Sequence, residues 1–429
     1  MLNGALFAQQ TPRHGPPDGS WTFWRRPSNG IEFPLRVQFT TLGDSLTVTA
    51  PNGFAVHGRS TPDGVALSGS LADKKTPITL TARWAGDSLV GRGVQGPDTI
   101  THLWFVAERA RPASSPTRRT VHPSEFFRVL SATPQPLTHL WSGDTVRTET
   151  VDAGGIDSSG KRRSAGGNPL TGPFYIENTL PGDVLAIHLL RVRTNRATAN
   201  SGATVDDNSV APFYAAAVKS SDDSSATWTI DAAAGVARIK TPSAKLRDYT
   251  VPLHPMLGSI GVAPGSLGRA EARSSGAEGQ WGGNLDYNRL GEGATVYLQI
   301  AQPGAYFYLG DGHAAQGDGE LTGDALETSL DVEFSVEVIR SKQIVMPRAE
   351  DASYLMASGI GGSIDDAFRI ATTRLAVWLE QDYALSRGEV ALLLGSGIVY
   401  DIGEVVDQQP HVVAKFPKAL LKSISRDKQ

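Results

Sequence analysis

The sequence predicts a mainly β protein, with a small antiparallel, barrel-like N-terminal domain and a larger β-rich domain carrying one short helical hairpin near its C-terminus. Three observations predict this. Short runs alternate apolar with polar residues, and turn residues break them about every eight to twelve positions. Glycine and proline, 46 plus 26, make 72 of 429 residues, close to 17%, which favours turns over long helices. A single region, from Ser363 to Leu394, replaces the two-residue period with apolar residues three and four apart.

Residues 1–20 read as a tail. Leu6, Phe7 and Ala8 before Gln9-Gln10 look like the end of a secretory signal with its small-residue cleavage site, without the charged start and full apolar run. A truncated signal predicts a periplasmic or secreted protein; an ordinary tail leaves it cytoplasmic. From residue 21 to 112 the alternation is regular. Leu35, Val37 and Phe39 alternate with Arg36 and Gln38, Pro51-Asn52-Gly53 turns the chain, and Ile78, Leu80 and Ala82 repeat the pattern. Such a meander closes into a small barrel, similar in outline to lipocalin- or avidin-like barrels, with Trp21, Trp24, Trp84 and Trp104 expected to fill it. A ligand-binding barrel is the alternative. The polar, proline-punctuated stretch from Arg111 to Arg119 reads as a linker, which places the boundaries at 21–112, 113–120 and 121–429.

In the larger domain, Thr145–Val151, Phe174–Glu177, Val184–Val192, Thr227–Ile230, Ala237–Thr241, Thr295–Ile300 and Leu330–Ile339 read as strands. Ser363 is placed to cap a helix whose core stripe is Ala367, Ile370, Ala371, Leu375 and Trp378. Ser386 and Glu389 have capping-box spacing before Val390–Leu394, and His411–Phe416 alternates again.

Composition removes several functions. Forty basic against 44 acidic residues leave a net charge of −4, with no electrostatic footprint for nucleic acid or an anionic membrane. No run reaches the about 18 apolar residues of a spanning helix. With no cysteine there is no disulfide, thiolate metal site or cysteine nucleophile. Gly-x-Ser-x-Gly is absent, and the nearest approach to a phosphate-binding loop, Gly155 to Gly160-Lys161, has Arg162 where a hydroxyl is required.

Chemistry concentrates in irregular segments. In Leu309-Gly-Asp-Gly-His-Ala-Ala-Gln-Gly-Asp-Gly-Glu320, three carboxylates (Asp311, Asp318, Glu320) and the imidazole of His313 sit among glycines that allow tight folding. Converging acids repel, and a divalent cation removes the conflict; oxygen plus imidazole ligands suit zinc or manganese, whereas calcium prefers oxygen alone. A solvated acidic turn is the alternative. Three further segments carry polar groups behind glycines: Trp281-Gly-Gly-Asn-Leu-Asp286, Thr150-Val-Asp-Ala-Gly-Gly155, and Gly166-Gly-Asn-Pro-Leu-Thr-Gly-Pro173, where Asn168 and Thr171 offer an amide and a hydroxyl from a rigid loop.

Taken together these strings resemble the acetamidase/formamidase family. The resemblance runs in order over residues 120–422, through Gly-Asp-Thr-Val (143–146), Val-Asp-Ala-Gly-Gly (151–155), Gly-Asn-Pro-Leu-Thr-Gly-Pro (167–173) and Pro-Gly-Asp-Val-Leu (181–185). It continues through Pro-Met-Leu-Gly-Ser-Ile-Gly-Val-Ala-Pro (255–264), Gly-Gly-Asn-Leu-Asp (282–286), the 309–320 loop, Val405-Val406-Asp407 and Pro417-Lys418. It does not cover residues 1–112. The resemblance implies hydrolysis of a short linear carboxamide to carboxylate and ammonia on a mainly β fold, with a bound divalent metal and a homo-oligomeric assembly. Carried over, it implies Asp152, Asp286, His313 and Asp311 as metal ligands, Glu320, Asp318 and Asn168 as catalytic groups, and Asn284 and Thr171 as substrate contacts. Zinc is the first expectation for the ion, with calcium or manganese as alternatives; which carboxylate is ligand and which is base stays open. The contrasting reading is a secreted binding protein with a structural calcium site and a ligand-binding N-terminal barrel.

Overall fold

The computed structural model describes residues 18–28, 34–86, 88–218, 225–266, 269–340 and 342–424. The signal-like Leu6–Gln10 segment lies outside the described residues. The chain divides into two compact units, Met1–Arg111 with Gly265–Arg269, and Pro112–Pro264 with Ala270–Gln429.

The first unit is a closed eight-stranded antiparallel barrel in meander order. Its strands are β1 (Gly19–Pro27), β2 (Leu35–Leu42), β3 (Ser45–Thr49), β4 (Ala55–Thr61), β5 (Gly64–Ser70), β6 (Pro77–Ala85), β7 (Ser88–Gln95) and β8 (Asp98–Ala107). Antiparallel pairing of β1 with β8 closes it. The two-residue period puts Phe23, Val37, Phe39, Leu46, Val48, Leu80 and Phe105 inside, where each is at most 1% exposed. The interior is therefore packed side chain, with Phe23 on Phe105 at 4.4 Å between ring centroids. The tryptophans divide. Trp21 is buried and stacks on Phe39 at 5.0 Å, whereas Trp24 and Trp104, cross-strand partners, are only half-buried and stack on each other at 5.9 Å.

The second unit is built on two large sheets. One has six strands in the order Thr138–Leu140, β9 (Leu170–Ile176), β12 (Phe307–His313), β10 (Met256–Val262), β11 (Gly282–Asn284) and Glu278–Gly279. The other has nine, ending at one edge with β13 (Val399–Glu404) beside β14 (His411–Pro417). One buried cluster draws on both sheets: Phe174, Leu257, Ile260, Phe307 and Leu309 from the first, Leu185, Ile187, Val296, Leu298 and Phe334 from the second. The mainly β reading thus holds for both units.

Of the helices, α1 (Pro212–Val218) is one short segment, while α2 (Ile364–Tyr383) and α3 (Arg387–Gly397) form the expected hairpin. The Ser363 side chain caps α2 by accepting from the Asp366 amide, and Ser386 with Glu389 makes a complete capping box on α3. The α2 stripe of Ala367, Ala371, Leu375 and Trp378 packs on Leu355, Val412, Ala414 and Phe416 of the nine-stranded sheet. Val413, between Val412 and Ala414, points the other way into the inter-sheet core. No helix among the described residues is long and apolar enough to cross a membrane.

Candidate active site

Strand β12 runs fully buried to its end and delivers Asp311 and His313. Its partner β10 pairs Met256 with His313, Leu257 with Gly312 and Ser259 with Gly310, one constant register that sets Gly258 opposite Asp311. Asp311 takes a left-handed backbone there, φ 55°. The Gly258 carbonyl accepts from the amides of both Leu285 and Asp286, which turns the chain after β11 and leaves Asp286 at φ 38°. Glu320 is left-handed as well, φ 47°, and so is Asn168, φ 52°. Four polar side chains of one site thus sit on a backbone that L residues adopt at a cost of about 1–3 kcal/mol each, a pattern that marks functional geometry.

Four carboxylates, three of them aimed by these turns, gather at one imidazole nitrogen. From Nε2 of His313, Glu327 Oε1 is 3.0 Å away, Asp311 Oδ1 3.7 Å, Asp286 Oδ1 3.9 Å and Glu320 Oε1 4.0 Å. All five residues are at most 7% exposed. Asp286, Asp311 and His313 form one ligand-competent trio, and His313, Glu320 and Glu327 another. Around them a second layer of acids closes in: Asp407 accepts from Asn284 at 2.7 Å, and the buried Glu404 accepts from the amides of Val406 and Asp407.

The electrostatics follow from burial and like charge. Burial first, then Glu320 and Asp311, pushes Asp286 well above the usual carboxylate range. Burial also raises Glu320 well above it, with Glu327 and Asp311 adding and His313 opposing. Glu327 rises to about 7 for the same reasons, led by burial. Burial disfavours the His313 imidazolium, but Glu327 and Asp311 outweigh it and hold the ring well above its ordinary value. Further out, burial and then Glu404 and Asp407 push Glu278 up to about 8.

A divalent ion fits this donor set. Asp286 Oδ1, Asp311 Oδ1 and Glu327 Oε2 are buried without a hydrogen-bond partner among the described residues. Two ligand atoms each about 2.1 Å from one ion, subtending 90° to 180°, lie about 3–4 Å apart, the span observed around Nε2. The floor is kept open by a missing side chain: a Cβ on Gly258 would stand 2.5 Å from Asp286 Oδ1, 2.7 Å from Asp311 Oδ2 and 2.9 Å from His313 Cε1.

Of the residues singled out in the sequence, Asp286, Asp311, His313 and Glu320 come together. Asn168 and Asn284 join them as a hydrogen-bonded pair. Asn168 Nδ2 donates to Asn284 Oδ1 at 2.9 Å and to Asp311 Oδ2 at 3.1 Å, while Asn284 Nδ2 donates to Asp286 and Asp407. Each amide has two hydrogens and both are taken, so through their donors the pair braces the carboxylates. Asp152 stands apart from both trios: its Oδ2 pairs with the half-buried Arg196 at 2.6 Å, and its Oδ1 accepts from the Ile156 amide. Asp318 is exposed and accepts from Asn288 at 2.7 Å, because the chain turns away between it and Glu320. The Thr171 hydroxyl donates to the Glu149 carbonyl at 2.8 Å.

Sequence reading missed Glu327, which reaches the site by bridging to His313 from Leu326-Glu-Thr328, a string with no local signal. It also gave no role to Gln316 or Asp407, although both lie in segments that carried the family resemblance. Gln316 and Asn288, from two different segments, line a surface cleft of about 860 Å³.

Residues 267–408 match the model described as the Acetamidase/Formamidase family. Among solved structures, the chain is similar to an acetamidase from Yersinia enterocolitica, at 25% identity and a TM-score of 0.60, covering 73% of this chain and 96% of that one. It is similar to a predicted acetamidase/formamidase from Thermoanaerobacter tengcongensis, at 26% identity and a TM-score of 0.60, covering 72% and 98%. An acetamidase from Bacillus halodurans aligns at 25% identity and a TM-score of 0.60, over 72% of this chain and 100% of that one. No curated protein matches the chain.

Proposed function

We propose that this chain is an amidohydrolase of the acetamidase/formamidase type, and that it cleaves a short linear carboxamide, of the formamide or acetamide type, with water activated in the His313 cage. One observation carries the reading: the buried, unpartnered Oδ1 atoms of Asp286 and Asp311 lie 3.9 and 3.7 Å from His313 Nε2 above the bare floor at Gly258. His313 Nε2, Asp286 and Asp311 would hold a divalent ion, zinc by the imidazole in the set, with Glu320 and Glu327 facing it. When bound, such an ion lowers the pKa of water toward neutrality and polarises a carbonyl, both of which an unreactive amide requires.

The chain's own groups do the rest. Glu320, whose surroundings raise its proton affinity, is placed to take the proton from the attacking water and return it to the departing nitrogen, leaving ammonia and a carboxylate. Glu327 holds His313 at 3.0 Å and takes the Ala325 amide with the same oxygen. Asn168 and Asn284 keep Asp311 and Asp286 from swinging apart. The near-complete burial of these groups supports a small acyl portion. The same reading carries homo-oligomeric assembly, checked by light scattering, and a periplasmic or secreted location, checked by cell fractionation.

The test is ammonia release from formamide, acetamide, propionamide and benzamide by metal-replete and chelated protein, with metal content measured on both. Release from the short amides that chelation abolishes is expected, together with loss of both activity and metal in His313→Ala. Full activity in the chelated protein or in His313→Ala would sink the metal-dependent mechanism. Calcium as the sole bound ion, with no release from any amide, would favour the binding-protein reading.

A further inference from the structure

Gln316 lies three residues beyond His313, half-buried, and is used by nothing in the reaction as described. Its Nε2 donates to two backbone carbonyls, Asp286 at 2.6 Å and Gly403 at 3.2 Å. Carbonyl oxygens only accept, so these bonds fix which end of the amide is nitrogen, an orientation that otherwise has to be assigned by choice. The oxygen end therefore faces His313, with Oε1 2.9 Å from Nδ1. An amide oxygen also only accepts, so Nδ1 must carry the proton. That leaves the other ring nitrogen, Nε2, as the one presented to Asp286, Asp311, Glu320 and Glu327.

We propose that Gln316 is a positioning residue that fixes the tautomer and rotation of His313 so that Nε2 is the ligand atom of the cage; the inference rests on the metal reading above. The arrangement has a physical motive. A free imidazole in a pocket of carboxylates has two nitrogens, each able to turn toward the acids, and an acceptor on one settles the choice. A partner on the non-ligating nitrogen of a metal-bound histidine changes metal affinity about 10–100-fold. The two carbonyls gripped by the Gln316 nitrogen come from the Asp286 turn and from β13, so the side chain also sets His313 against the backbone that carries a second cage residue.

Two variants separate the acceptor from the tie. Gln316→Glu keeps an oxygen for Nδ1–H but loses both donations to carbonyls; Gln316→Met, close in size, loses both functions. Zinc affinity is measured by chelator competition on the full chain, and the His313 Nδ1–H resonance by nitrogen-15 imidazole spectra. Gln316→Met is expected to bind zinc about 10–100-fold more weakly, lower kcat more than it changes KM, and lose the slowly exchanging Nδ1–H signal. Gln316→Glu is expected to stay within about threefold of the parent affinity and keep that signal. Parent-like zinc affinity in Gln316→Met, or equal losses in both variants, overturns the proposal, the latter because Gln316 would then only tie the loop. Should Gln316→Met not fold, the Gln316→Glu result alone decides in the same way. A parent chain that takes up no zinc overturns the metal reading instead, and the positioning is then judged by the Nδ1–H signal in metal-free protein, present in parent and Gln316→Glu and absent from Gln316→Met.

Discussion

The barrel of the first unit and the carboxylate cage of the second are both buried interiors, filled with opposite chemistry. Inside the barrel, Phe23, Phe39 and Phe105 pack with no polar group to satisfy, on strands whose period never slips at those positions. Inside the cage, four carboxylates share one imidazole, and the backbone that aims three of them, Asp286, Asp311 and Glu320, is left-handed. The barrel is held by what it contains. The cage contains mutually repelling groups and is held by what surrounds it: the asparagine braces, the Gly258 floor and the carbonyl grips of Gln316. Burial stabilises the first and strains the second, so the same kind of change should act on the two in different ways.

The largest expected effect breaks the barrel alone. Phe105→Ala removes a fully buried ring and should cost about 3–5 kcal/mol, read by chemical denaturation, with amidase turnover of the remaining folded protein unaltered. A parallel loss of turnover at low temperature would refute the contrast. Gly258→Ala does the reverse. The added methyl enters the cage, and amide hydrolysis should drop about 100-fold or more, with zinc content falling, while the barrel's melting stays put. Next comes Asn168→Gly, which keeps the left-handed backbone at that position and deletes only the amide; about tenfold weaker zinc binding is expected by competition titration.

A smaller effect concerns pH. Glu278 has a carboxyl raised to about 8 from an ordinary 4.5, so the native state binds more protons than the unfolded one between those values. Stability from this group therefore declines as pH rises through that window, and the penalty is complete above pH 8. Glu278→Gln should raise the melting temperature at pH 9 by a few degrees, on the order of 1 kcal/mol, and change little at pH 5. Equal shifts at both pH values would count against a buried charge as the cause. Asp318→Asn is the smallest: on an exposed side chain bonded to Asn288, it should leave kcat/KM within about twofold.

What the sequence made legible follows the same division. Period two and turn spacing exposed the barrel, and the cap at Ser363 and capping box at Ser386 exposed the hairpin, because each is a local agreement between neighbouring residues. His313 and Asp311 were visible because they stand two apart in one glycine-rich string. Glu327 was not, since its approach depends on a bridge between segments fourteen positions apart whose intervening chain carries no period. Asp318 and Glu320 looked equivalent in sequence. The turn at Gly319, φ 84°, sends one to solvent and the other inward, and no count of acids distinguishes them.

Gly319 does more than turn. Its amide donates to the carbonyls of Ile402 and Gly403, and its carbonyl accepts from the Val405 amide, which stitches the Glu320 loop to β13. Gln316 and Asn284 reach the same stretch, through Gly403 and Asp407. In the order of synthesis, then, the cage is finished by residues some seventy positions beyond Glu327: a polypeptide emerging from the ribosome carries the acids and the histidine before the strand that fixes them exists. Distant closures of this kind form late in folding. A fragment ending before β13 is accordingly expected to show neither zinc uptake nor amide turnover.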